Sequence, residues 1–169
     1  MKGSELREQI FDLLYSQRKP EQAILQLNRI IKATPEHSEA LGLKAYALNK
    51  LANSLHDWKY SQHALESADR ALTFNPDDDI ALASKGWALM DLGRAKDALT
   101  PLQQATRANP ANEYAWYNLA WAQYLTGNAT GSKESIERAL QISPGNSIIK
   151  RGKEIMEKGE IPNHLRRKE

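Results

Sequence analysis

The chain contains no valine and no cysteine, and these two absences exclude several classes of protein. Valine is a strong strand former, and the 11 isoleucines and 6 threonines are too few to replace it in a sheet. Without cysteine there is no disulfide framework, no thiolate zinc site and no cysteine nucleophile. The 22 alanines and 21 leucines among the 169 residues favour helices instead, so the sequence predicts an all-α protein.

The sequence also lacks an excess of one charge and lacks long apolar runs. The 23 lysines and arginines stand against 21 aspartates and glutamates, which leaves a net charge of +2 and no strong field for nucleic acid or an anionic membrane. No run approaches the ~20 apolar residues of a membrane span, and the N-terminal residues form no apolar signal core. We therefore expect a cytoplasmic protein with no nucleic-acid partner and no membrane insertion.

What the chain does contain is an internal repeat, marked by four of its seven prolines. Pro35, Pro76, Pro110 and Pro144 are spaced by 41, 34 and 34 residues, and each ends a helical pattern. Small residues recur at one fixed distance before these prolines, namely Ala23, Ala64, Ala98 and Ser132. Small residues at one place in every unit allow helices to approach closely, and a fixed period of this length is typical of stacked helical repeats.

The fourth unit resembles a tetratricopeptide repeat. The residues that carry the resemblance are Trp116-Tyr117-Asn118-Leu119-Ala120, followed by Gly127, Ile136, Ala139 and Pro144. The resemblance implies a right-handed α-solenoid, which is a superhelix of antiparallel helix pairs whose first helices line a concave groove. Residues 1–158 would form a single array, with repeats at approximately 4–37, 38–78, 79–112 and 113–146, a solvating helix at about 146–158 and a basic tail at 159–169.

Two units depart from the family pattern. In the first unit Phe11 stands where the family prefers a small residue, and Arg18 stands where it prefers glycine. The second unit is seven residues too long, and the extra residues fall between its two helices. Since seven residues is close to two helical turns, we expect them to lengthen both helices into a protruding hairpin. Leu51, Leu55 and Trp58 would either pack on one another across this hairpin, which we favour, or form an apolar tip.

The resemblance places groove residues at fixed distances before each closing proline. On this count an acidic N-terminal end of the groove comprises Glu5, Glu8, Asp12 and Glu39. The peptide-binding part comprises Tyr46, Asn49, Trp87, Met90, Tyr117, Asn118, Trp121 and Tyr124. The same distances also select Gln9, Tyr15, Gly42, Leu43, Ile80, Ala83, Ser84 and Tyr114. In the family an asparagine at the place of Asn118 often binds a peptide backbone, because one amide supplies both a donor and an acceptor.

The aromatic residues of the fourth unit leave two interpretations open. Four of them share one helix face, namely Tyr114, Tyr117, Trp121 and Tyr124. The solvating helix could cover this face through the isoleucines at 148, 149 and 155. Otherwise the last three aromatic residues remain partly open and anchor a ligand peptide, as aromatic side chains do at interfaces. We expect Tyr114 to be covered, and Trp121 and Tyr124 to be available.

No combination of residues in the sequence resembles a catalytic or metal site, so we predict a non-enzymatic adaptor or scaffold without a cofactor or a metal. Its groove would bind a peptide or helix of a partner protein. The lysines and arginine that clamp acidic chaperone peptides in similar arrays are missing, so a partner segment with basic and apolar or aromatic side chains fits better. The alternative is a self-assembling structural subunit of a larger complex, with the aromatic C-terminal end as its oligomer interface.

Overall fold

The computed structural model describes residues 3–162 and Leu165, and within these residues every regular element is helical. The α-helices are α1 Gly3–Phe11, α2 Pro20–Ala33, α3 Ser38–Leu55, α4 Trp58–Phe74, α5 Asp79–Asp91, α6 Ala95–Ala108, α7 Glu113–Leu125, α8 Ala129–Ile142 and α9 Ser147–Glu157. A π-helical turn at Asp12–Ser16 follows α1 directly. Successive helices pack as pairs, and the predicted all-α solenoid is confirmed.

Two residues after each closing proline lies a residue whose side chain caps the N-terminus of the first helix of the next unit. Asp78 accepts hydrogen bonds from the backbone N–H groups of Ile80 and Ala81 at 3.1 and 3.0 Å. The equivalent caps after the other prolines are His37, Asn112 and Asn146. Such caps satisfy N–H groups that a helix cannot bond internally, so the repeated phrase ends one helix and begins the next.

The small residues of the repeat lie where the helices touch. Ala23, Ala64 and Ala98 are fully buried, and Ser132 is nearly so. Helices α5 and α6 approach closely at Gly86, which faces Leu102. A Cβ atom added at Gly86 would lie 2.3 Å from Leu102 Cγ, so this position admits no side chain without displacement of α6 or of the leucine.

The seven extra residues of the second unit lengthen both of its helices. Helix α3 has 18 residues and α4 has 17, whereas α5 and α6 have 13 and 14. Leu51 is buried, but Leu55 and Trp58 are 54% and 64% exposed. Because Leu55 and Trp58 keep more than half of their surface exposed, the three residues do not form the packed cluster that we favoured. The hairpin ends in an apolar tip formed by Leu55 and Trp58.

Arg18 adopts a left-handed backbone conformation in the turn between the helices of the first repeat. Its φ angle is 54°, and Gly93 and Gly127 in the corresponding turns have φ angles of 76° and 85°. A left-handed conformation costs a side-chain-bearing residue roughly 1–2 kcal/mol, whereas glycine adopts it freely. The family preference for glycine thus has the same physical cause in all three turns.

Replacing Arg18 by glycine is expected to raise the free energy of unfolding by about 0.5–1 kcal/mol, because the left-handed residue then carries no Cβ atom. Urea unfolding followed by circular dichroism would measure the change. Arg18→Ala is the matched control, since it removes the charge and keeps the strained Cβ. An equal gain in both variants would show that the charge, and not the backbone conformation, destabilises this turn.

Candidate ligand-binding cavity on the concave face

A cavity of about 330 Å³ lies between the first helices of the four repeats. Its apolar wall consists of Phe11, Tyr15, Tyr46, Ile80, Ala83 and Tyr114. Its polar rim consists of Arg7, Asp79, Asn109, Asn112 and Glu113, with Ala111 beside them. The volume falls at the lower end of the range for small-ligand sites, and an apolar wall with a few polar groups is the usual composition of such sites.

The aromatic rings of the wall join the first repeat to the fourth. The rings of Tyr15 and Tyr114 stack with centroids 6.2 Å apart, and Tyr46 meets Tyr114 edge to face at 5.9 Å. The hydroxyls of Tyr15 and Tyr46 are hydrogen-bonded to each other. Burial is the main cause that raises the pKa of both tyrosines, so both phenols are neutral near pH 7. The wall is therefore an uncharged surface, and its rings come from the first, second and fourth repeats.

A cation already lies against this wall from within the chain. Lys50 Nζ is 4.3 Å from the centroid of the Tyr15 ring, within the distance at which an ammonium group is attracted to an aromatic face. Burial lowers the pKa of Lys50, because the ammonium group loses part of its water there.

The polar rim is held by a network around Arg7 and Asp79. Arg7 lies 3.9 Å from a carboxylate oxygen of Glu39 and 3.8 Å from Asp79 Oδ1. The other oxygen of Asp79 accepts hydrogen bonds from the side-chain amides of Asn109 and Asn112, at 2.9 and 2.7 Å. Burial raises the pKa of Glu39, and the charge of Arg7 opposes that rise. These contacts connect α1 to the start of α5 and of α7.

The π-turn changes which residues of the first repeat face the cavity. Gln17 N–H donates to the carbonyl of Asp12, five residues back, at 3.0 Å. Such a turn holds about one residue more than an α-helical turn, so residues before it are displaced by one position relative to the family count. Arg7 and Phe11 line the cavity where the count placed Glu8 and Asp12.

The predicted acidic end of the groove does not coincide with the cavity. Glu5, Glu8 and Asp12 are exposed and do not line the cavity. Glu39 is half-buried and paired with Arg7. The charge on the cavity side of the first helix is thus positive, because the π-turn moves an arginine into the position of a glutamate.

Of the eight residues predicted to bind a peptide, Tyr46 lines the cavity and Trp87 packs on it at 5.9 Å between ring centroids. Four others are buried in the free chain, namely Asn49, Met90, Asn118 and Trp121. The amide of Asn49 already donates to the carbonyl of Ser84 at 2.8 Å. Tyr117 and Tyr124 are half-buried. The other counted positions at the cavity are Tyr15, Ile80, Ala83 and Tyr114.

Helix α9 covers the aromatic face of α7. A Cβ atom added at Gly152 would lie 2.6 Å from Tyr117 Cε2, so the backbone of α9 rests directly on that ring. Ile149 is buried, whereas Ile148 is 48% exposed and takes no part in the cover. Ile155 packs against the core cluster that contains Trp121.

The cover applies to only part of the aromatic face, because Trp121 is buried whereas Tyr117 and Tyr124 are half-buried. Trp121 is 4% exposed, so its expected availability is not found, and Tyr114, expected to be covered, lines the cavity instead. Tyr117 and Tyr124 keep part of the aromatic C-terminal end at the surface, and an oligomer interface there stays a prediction.

The polar rim includes residues that sequence reasoning did not select. Asp79 and Glu113 are the first residues of α5 and α7, and each directly precedes a counted groove position. Acidic residues in a first helical turn most commonly complement the helix dipole, and that role needs no ligand to explain it. The sequence signal that could have identified Asp79 and Glu113 is their equivalent position, three residues after Pro76 and Pro110.

Within residues 3–162 and Leu165, no group of three or more histidine, aspartate or glutamate side chains could hold a metal ion. In the same part of the chain, no helix combines the length and the apolar composition needed to cross a membrane. The predicted basic stretch Arg166-Arg167-Lys168 lies outside the described residues.

The chain belongs to the tetratricopeptide repeat family. The family model for the tetratricopeptide repeat matches residues 9–58 and 83–147, which together are more than half of the chain. The resemblance on which the repeat was predicted is thereby confirmed. No curated protein sequence matches the chain.

Solved structures of other repeat proteins share the fold. TTC0263, a thermophilic repeat protein of Thermus thermophilus, has a TM-score of 0.72 at 17% identity, over 91% of this chain and 81% of its own. MamA from residue 41 onward, of Desulfovibrio magneticus RS-1, has a TM-score of 0.63 at 23% identity, over 94% of this chain and 85% of its own. The first repeat domain of Spaghetti (RPAP3), bound to the HSP90 peptide SRMEEVD, has a TM-score of 0.56 at 16% identity, over 69% of this chain and 92% of its own. At such low identity these structures establish a right-handed solenoid and nothing about the ligand.

Proposed function

We propose that the chain is a non-enzymatic scaffold that binds a peptide or helix of a partner protein on its concave face. The observation that carries the proposal is the cavity, whose aromatic wall is assembled from the first helices of the repeats and whose rim offers charged groups. Aromatic side chains in a concave site supply large contact areas at low entropic cost, which suits the anchoring of a side chain of the partner.

The charges of the cavity favour a basic and apolar or aromatic partner segment over an acidic one. Arg7 is the cation of the lining, and it already lies between the carboxylates of Glu39 and Asp79. An acidic peptide such as SRMEEVD, which is bound to the RPAP3 domain, would here meet Asp79 and Glu113. Like charges brought together at an interface disfavour binding.

Self-assembly is the alternative, and the apolar tip is the observation that favours it. Leu55 at the end of α3 and Trp58 at the start of α4 are 54% and 64% exposed. In either form the chain acts as a protein-binding module and not as an enzyme.

The proposal is tested by blocking the cavity from its exposed edge. Peptides selected from a displayed random library on the purified chain would be measured by calorimetry with the wild type and with Ala111→Trp. Ala111 is exposed at the cavity rim, so tryptophan is accommodated by the fold and fills the entrance. We expect the dissociation constant to rise by about tenfold or more, roughly 1.4 kcal/mol.

Gly145→Trp is the matched control. Gly145 has the same place after Pro144 that Ala111 has after Pro110, and a Cβ atom there meets no atom within 4 Å. The control should bind the selected peptides as the wild type does. Peptides that bind Ala111→Trp and wild type equally, with both variants folded by circular dichroism, would contradict a concave binding site.

A further inference from the structure

We infer that the cavity takes the basic side chain of a lysine or arginine from the partner segment, with Glu113 as the carboxylate that receives its charge. The inference rests on the proposed function, because it names the chemistry recognised at the same site. It follows from three observations. These are the composition of the aromatic wall, the ion pairing of the charged side chains at the rim, and the lysine that already lies against the wall.

The first observation is that the wall combines rings with uncharged aliphatic surface. Phe11, Tyr46 and Tyr114 line the cavity together with Ile80 and Ala83. The stem of a lysine or arginine is apolar and its head is cationic, so such a side chain buries methylene groups while its charge stays at the polar end. The negative face of an aromatic ring attracts the same cation.

The second observation is that Glu113 is the carboxylate of the lining that still lacks a cation. Asp79 accepts from two amides and lies beside Arg7, and Arg7 also lies beside Glu39. Among the described residues Glu113 forms no ion pair. Burial chiefly raises the pKa of Tyr15 and Tyr46, and the Glu113 charge raises it further, so this carboxylate acts on the wall.

The third observation is that the wall already holds a cation of the proposed chemistry. Lys50 Nζ lies 4.3 Å from the centroid of the Tyr15 ring, although burial makes the charged form less favourable there. An ammonium group that stays beside a ring in spite of lost hydration indicates that these rings stabilise cations. Lys50 does not line the cavity, so the position beside Glu113 is left for a second cation.

The inference is tested with small probes of defined charge. N-acetyl-lysine-N-methylamide would be titrated into the isotope-labelled chain and followed by NMR, with the norleucine analogue as the uncharged probe of similar shape. We expect the lysine derivative to shift the resonances of Ile80, Ala83 and Tyr114. We expect the norleucine analogue to bind about tenfold more weakly, which is the range that cation–π contacts and a desolvated charge together supply.

Glu113→Gln is the diagnostic variant and Glu21→Gln its matched control. Both glutamates lie in the first turn of a helix, so both substitutions remove the same interaction with the helix dipole, but Glu21 is exposed and far from the lining. Glu113→Gln should weaken the lysine derivative by roughly fivefold or more and leave the norleucine analogue unchanged. Equal binding of the lysine derivative to both variants would overturn the inference.

The peptides selected on the purified chain distinguish a failure of this inference from a failure of the proposed function. We expect them to be enriched in lysine or arginine and to lose binding when that residue is replaced by norleucine. Peptides without a basic residue that are nevertheless sensitive to Ala111→Trp would overturn the inference and leave the proposed function standing. Specific binding of the lysine derivative, without any peptide sensitive to Ala111→Trp, would support the cation site and contradict the proposed function.

Discussion

Gly86→Ala is expected to lower the free energy of unfolding by about 2 kcal/mol, although alanine is the better helix former. The new Cβ atom would lie 2.3 Å from Leu102 Cγ and 2.6 Å from its Cδ2, and Leu102 is completely buried. Because Leu102 is enclosed by the core, relief of this contact requires the α5–α6 pair to separate or the leucine to leave its rotamer. Urea unfolding monitored by circular dichroism would show a lower midpoint at an unchanged slope.

A double-mutant cycle with Leu102→Ala distinguishes this clash from a general loss of stability. Leu102→Ala alone should cost about 2–5 kcal/mol through the cavity that it leaves. With both alanines present the clash is absent and the new methyl group partly refills that space. The double variant should therefore be more stable than the sum of the single changes implies, by more than about 1 kcal/mol. Additive effects would show that Gly86 is required for a reason other than its contact with Leu102.

Asp91→Asn is expected to stabilise the fold at pH 8 by about 2 kcal/mol and to give no such gain near pH 4. Asp91 ends α5, where one carboxylate oxygen accepts from Ser61 Oγ at 3.2 Å and the other is buried without a partner. Burial raises the pKa of this carboxyl to about 7 from its ordinary value of 3.8, and the hydrogen bond from Ser61 opposes the rise. An asparagine has a similar shape and carries no charge to desolvate.

The sign of this effect follows from proton linkage. Between pH 3.8 and about 7 the folded chain holds a proton on Asp91 that the unfolded chain has lost. The contribution of this group to stability therefore falls as the pH rises through that interval, and the full penalty is present above about 7. Below the unfolded pKa both states are protonated, and the penalty disappears.

The measurement is the difference in unfolding free energy between variant and wild type at pH 4 and pH 8, in which groups common to both cancel. Asp97→Asn is the control, because Asp97 is exposed and paired with Arg94 at 2.8 Å. The difference in unfolding free energy between Asp97→Asn and the wild type should be small and should not favour the variant at pH 8. A difference for Asp91→Asn that is the same at both pH values would contradict a buried, proton-holding carboxyl.

The fold was predictable because its determinants are local and repeated. Pro76 ends one helix and Asp78 caps the next, and equivalent residues do the same in the other repeats. The small residues that precede the prolines are buried where helices meet, as their fixed spacing indicated. Helix propensity, capping and packing favour the same helix boundaries at these positions, and such agreement allows a fold to be predicted from its sequence.

The cavity was predictable only in part, because its composition depends on contacts between distant segments. Tyr46 lines it as the family count implied, but the count failed at Arg7 and Phe11 once the π-turn added a residue. Trp121 was expected to be open and is covered instead, since residues of α9 pack onto its cluster. The periodicity of one helix gives the direction of a face, but not the element that will cover that face.

The π-turn at Asp12–Ser16 also gives the first repeat an unusual tolerance to changes in length. Because the turn holds one surplus residue, deletion of a single residue within it would leave a continuous α-helix with Arg7 and Phe11 still directed at the cavity. The same deletion within α5 would rotate every preceding residue by about 100° around the helix axis. A single-residue deletion in this short stretch that spares Tyr15 therefore leaves the ligand chemistry of the concave face intact, whereas elsewhere in the array it would exchange one face for another.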